Sequence, residues 1–148
     1  MKIHTKYFGE MEIDPSKQIQ FPKGLPGFNE EKEFVLLDMP SAPLFQVLQS
    51  VKTDYVAFIT ANPHALYPKY SFRLDHNTME QLAIQSQEEV VALSIITLKD
   101  PFEQSTMNLK APIIINSRAK LGKQFILNTD DYSSTASIKP AFSESEAT

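Results

Sequence analysis

The chain has 148 residues, 42% of them hydrophobic, and a formal net charge of −4. That is enough for one domain with a real core, and the acidic balance disfavours a phosphate-neutralising surface. Cysteine is absent, which excludes a disulfide framework and a thiolate zinc site, and no apolar run approaches the roughly 20 residues of a membrane span. No apolar signal segment follows the basic start Met1-Lys2. Ten prolines against four glycines predict many stiff turns.

In chain order, Lys2–Phe8 alternates and turns at Gly9-Glu10 into a return from Met11. Asp14-Pro15-Ser16-Lys17 is a turn, and Ile19-Gln20-Phe21 a short strand. Pro22-Lys23-Gly24-Leu25-Pro26-Gly27-Phe28 packs two prolines and two glycines into a rigid corner, with Leu25 and Phe28 expected to plug the core. A phosphate loop would need a basic residue and Ser or Thr before a helix, and the corner has neither in place. Phe34–Met39, Leu44–Ser50 and Tyr55–Thr60 read as strands, and Asn62–Tyr70 as a proline-bracketed loop.

Asp75–Ile84 is the one expected helix, capped by Asn77 with Glu80 three residues on and striped by Met79, Leu82 and Ala83. Val90–Leu98 is the longest strand-like run, and Thr106–Leu109 leads into a hairpin. That hairpin pairs Ile113-Ile114-Ile115 with Phe125-Ile126-Leu127 across the polar stretch Asn116–Gly122. Strands at intervals of about eight to twelve residues predict a mostly β fold: a small antiparallel barrel or sandwich with one short helix. The domain is expected over residues 1–132, with 133–148 a mobile polar tail rich in Ser and Thr.

The chemistry-bearing residues do not assemble into a catalytic pattern. His4, His64 and His76 lie in separate segments without metal-ligand spacing, and no nucleophile elbow or dinucleotide fingerprint occurs. Neither a cofactor nor a metal is expected, and no enzyme. Lys110, Arg118, Lys120 and Lys123 form the one basic cluster. It reads as edge-strand charge and not as a nucleic-acid site, since stacking aromatics are missing there.

Taken in order, several segments carry a resemblance. They are Ile19–Phe28 with its Gly24-Leu25-Pro26-Gly27-Phe28, Pro43–Ser50 with Leu48-Gln49-Ser50, Tyr55–Pro63, Glu89–Thr97, Thr106–Asn116 with Asn108-Leu109-Lys110-Ala111-Pro112-Ile113-Ile114-Ile115-Asn116, and Lys123–Leu127. This order resembles the flagellar assembly factor W family (FliW) across about residues 1–132. The resemblance implies a small β-barrel-like binding protein of the bacterial cytoplasm, monomeric when free. Its implied partners are flagellin and, when flagellin has left, the RNA-binding translational regulator CsrA. Binding would antagonise CsrA allosterically and relieve repression of flagellin translation. The alternative is a small β-barrel RNA- or ligand-binding module, which would require a basic aromatic groove. For the CsrA contact, Tyr67 and Tyr70 on the loop and Glu88 and Glu89 before the long strand are the expected residues, rather than the basic hairpin turn. Tyrosines anchor interfaces, and paired carboxylates steer a basic partner.

Overall fold

The computed structural model describes residues 1–140. Eleven strands are present among them: β1 (Lys2–Thr5), β2 (Gly9–Glu12), β3 (Ile19–Gln20), β4 (Glu33–Asp38), β5 (Phe45–Ser50), β6 (Ala57–Ala61), β7 (Val90–Thr97), β8 (Thr106–Met107), β9 (Ile113–Asn116), β10 (Leu121–Gln124) and β11 (Ala136–Ser137). Two short helices, α1 (Pro63–Leu66) and α2 (His76–Gln81), interrupt them, one more than expected. Asn62 turns the loop into a helix by capping it: its side chain accepts the His64 N–H, and Pro63 sits at the first helical position.

Seven strands close a barrel in the order β3–β4–β5–β6–β7–β9–β10, because β7 pairs with β9 and β10 with β3. All neighbours are antiparallel except β10 and β3, which meet in parallel at Leu121 and Gln20. Closure leaves no free rim along most of the wall. The period of two then sends alternate side chains inward and outward. Inward go Ile19, Phe34, Leu48, Val56, Leu93, Ile113 and Ile115, joined by Phe21 and Leu25. Phe21 stacks edge-on against Phe34 with ring centroids 5.2 Å apart.

A second core lies outside the wall. Val35, Leu37, Val47, Ile59 and Ala61 on the outer faces of β4, β5 and β6 are covered by Ile3 and Ile13 near the β1–β2 hairpin, by Leu66 and Tyr70, and by Leu109, Leu127 and Ile138. Strands that bury both faces read as near-continuous apolar runs, which is how β4, β6 and β7 look in the sequence.

The hairpin begins as expected, but its return ladder is Leu121–Gln124, earlier than Phe125–Leu127. Gly122 explains the choice, since a Cβ there would stand 2.4 Å from Cζ of Phe21 and only glycine lets that ring fill the lumen. Phe125 and Leu127 continue the same hairpin with single bonds, donating their N–H groups to the Pro112 and Lys110 carbonyls. At the Gly24–Phe28 corner, Pro26 and Gly27 occupy the centre of a turn closed by reciprocal bonds between Leu25 and Phe28. Leu25 is buried, whereas Phe28 stays exposed and lays its ring edge on Phe58.

The expected boundary at 132 falls inside the folded unit. β11 pairs with β8, and Ile138 is fully buried in the outer core, so packing extends through Ile138. The remainder of the expected tail, 141–148, lies outside the described residues.

Candidate partner-binding surface

α2 is organised by its ends. Asp75, not Asn77, is the cap, and its carboxylate accepts the Thr78 N–H at 2.7 Å. Thr78 alongside holds the Asp75 carboxyl below its ordinary value of 3.8. The helix stops at Gln81 because Ala83 takes a left-handed φ of 53°. The stripe residue Leu82 is therefore buried as the C-cap instead of continuing a turn. The released carbonyls are taken by the β9–β10 turn. Asn116 donates to the Leu82 oxygen at 2.8 Å and the Ala83 oxygen at 3.1 Å, and Arg118 donates to Ala83 at 2.9 Å.

Glu89 completes this knot. Its carboxylate pairs with Arg118 Nε at 2.8 Å and accepts the Gln85 N–H at 3.0 Å. Its side chain is 14% exposed. The Gln85 N–H and then the Arg118 guanidinium hold it below its ordinary value of 4.5. The expected acidic pair is thus split. Glu88 is exposed and free to face a partner, while Glu89 is tied into the turn that carries the basic cluster. The cluster itself is engaged: Lys110 donates to the Thr129 carbonyl, Lys120 to Ser117 and Lys123 to Gln81.

The two tyrosines also part. Tyr70 is 3% exposed, donates its hydroxyl to the Leu109 carbonyl at 2.7 Å, and packs against Tyr132, Phe72 and His64. Burial, with Tyr132 alongside, pushes its phenol well above the ordinary 10. It is a core residue, so the expected surface contact by its ring is corrected. Tyr67 is half-buried, and its hydroxyl donates to the Ser137 carbonyl.

Beside these residues runs a trough of about 780 Å³. It is lined by the extended segment Ser71–Leu74, by Asn62 and His64 at the start of α1, by Met79 and Ile84–Gln87, and by Val90–Ala92 of β7. A hollow of about 310 Å³ continues past Met79 and Ile84 to His76 and Glu80. From the sequence Phe72 and Leu74 read only as a resumed extended pattern, and Arg73 carried no signal of its own. The available signal was Pro63, two residues past the end of β6, which stops that strand from following β7.

With the architecture in place, comparison with known proteins is decisive. The chain matches the family described as "FliW protein" over residues 2–138. It belongs to the FliW family. A flagellar assembly factor FliW of Oceanobacillus iheyensis is 52% identical over 147 residues, covering 99% of this chain and all of that one. Those of Geobacillus kaustophilus and Bacillus subtilis are 45% and 43% identical, covering 96% and 92% of the relatives and 95% and 89% of this chain. A crystal structure of the flagellar assembly factor FliW superposes with a TM-score of 0.89 at 43% identity, covering 93% of this chain and 96% of that one. The family match reaches Ile138, the residue that seals the outer core.

Proposed function

We propose that this family member is a non-catalytic, cytoplasmic partner-switching factor. It binds flagellin and, once flagellin is gone, binds CsrA and lifts repression of flagellin translation by an allosteric route. The observation that carries the reading is family membership over nearly the whole chain, joined to relatives that are flagellar assembly factors. Two members of the basic cluster, Lys110 and Arg118, already face carboxylates on Asp130 and Glu89, which supports a protein partner over RNA, since their charge is partly spent within the chain. Glu88 and Tyr67 remain the proposed contacts from the expected set. The test is a binding titration of the purified chain with purified flagellin and with CsrA, followed by competition. Binding of each alone, with flagellin displacing CsrA, is the expected result. Binding of neither, or tight binding of RNA, would sink it.

A further inference from the structure

The barrel wall is incomplete at one place. β6 and β7 pair only at Thr60–Ile95 and Ala61–Ser94, and continuing that register would put Pro63 opposite Ala92. Proline has no N–H to give, and the chain instead turns into α1. Along β7 the bonds alternate in direction. Ser117 N–H reaches the Glu89 carbonyl and Asn108 N–H the Ile95 carbonyl, so odd-numbered residues bond toward β9 and β8. Ala92 therefore directs its N–H and carbonyl, and Val90 its carbonyl, the other way, into the trough, where no strand of the described residues pairs with them, while the Val90 N–H is held by the Gln87 carbonyl.

The trough has a sign as well as an open edge. Phe72, Leu74 and Ile84 give it half-buried apolar walls, and Arg73 and His64 line it with no carboxylate beside them, the nearest lining carboxylate being Glu80 in the hollow that continues it. Arg73 takes part in none of the ion pairs among the described residues. An open strand edge flanked by apolar pockets accepts an extended segment by strand addition. An unpaired guanidinium beside it selects a carboxylate on that segment.

Resting on the functional reading above, we propose that this trough is the flagellin site. An extended acidic–apolar segment of flagellin lies beside Val90–Ala92, with an apolar side chain between Phe72, Leu74 and Ile84 and a carboxylate on Arg73. An RNA-binding partner must itself present a basic surface, which Arg73 repels, so CsrA is assigned elsewhere.

The experiment titrates purified flagellin and purified CsrA into the wild-type chain and into Arg73→Glu, Arg73→Lys, Leu74→Ser and Lys17→Glu variants. Thermal unfolding checks that each is folded. Arg73→Glu weakens flagellin by about tenfold or more, since reversing one partner of a hydrogen-bonded charge pair abolishes the attraction. Leu74→Ser weakens it too, Arg73→Lys less, and the distant Lys17→Glu not at all. CsrA affinity stays unchanged throughout. Unchanged flagellin affinity in folded Arg73→Glu overturns the proposal while leaving the functional reading intact. Loss of CsrA alone, or a homodimer that Arg73→Glu dissociates, gives the trough to another occupant and overturns it as well. Failure of flagellin to bind the wild type brings down the functional reading and this site with it.

Discussion

Tyr70 and Glu89 show how one polar contact fixes a residue's role. The Tyr70 hydroxyl supplies the buried Leu109 carbonyl with its donor. Tyr70→Phe leaves that carbonyl unpaired in an apolar setting, which costs about 1–3 kcal/mol. The check is a denaturant titration, where the midpoint falls with the slope preserved. An unmoved midpoint would contradict the hydrogen bond. Glu89 makes a pH prediction. Its folded value lies below the ordinary 4.5, so the stabilisation is complete above that ordinary value and disappears as pH falls through the lower folded one. Glu89→Gln should lower the melting temperature at neutral pH, and the gap to wild type should close in acid well below 4.5. A gap constant across that window would mean the carboxylate's charge is not what binds Arg118 and Gln85.

At the scale of elements, two glycines are set by neighbours and one by its own backbone. Gly24 has φ +64°, and a Cβ would meet the Phe28 carbonyl oxygen at 2.6 Å. Gly122 faces the ring of Phe21, which is wholly buried and has nowhere to retreat. Gly27 has φ +82° but open space around it. Alanine at Gly27 should therefore cost about 1 kcal/mol of left-handed strain, whereas alanine at Gly24 or Gly122 adds overpacking of about 1–3 kcal/mol or more. Ranking the three melting temperatures tests this, and an equal loss at Gly27 and Gly122 would mean that Phe21 yields. The expected helix failed at its boundaries for a related reason. Its apolar stripe was read as one face of a longer helix, yet Asn116 and Arg118, far along the chain, bind the carbonyls of Leu82 and Ala83 and end it.

At the scale of the whole molecule, the outer core depends on the segment that sequence reading set aside as tail. Ile138 has no exposed surface and packs in the cluster that holds Tyr70, Met107 and Leu109. Ile138→Ala should cost about 2–5 kcal/mol by loss of burial plus the cavity left behind. A chain ending at Tyr132 also forfeits the β11–β8 pairing and the Ser137 carbonyl that receives Tyr67. If the shortened chain melts with the full one, the boundary belongs at 132 after all.

The sequence by itself determined most of the strands, though not the return strand Leu121–Gln124 or β11, and with them the strand-rich class, the rigid Gly24–Phe28 corner and the family. Those rest on local signals: alternation, β-branched runs and proline–glycine punctuation, in an order that survives without knowledge of the fold. It also indicated two of the four expected contact residues that remain accessible, Tyr67 and Glu88. The tertiary structure decided what depends on partners distant in sequence. A parallel contact between Leu121 and Gln20 closes the barrel, Ile138 seals its outside, and Tyr70 and Glu89 are drawn into internal bonds. The trough arises the same way. Pro63 ends one strand early, and an open edge exists only because β7 lies alongside, some thirty residues later in the chain.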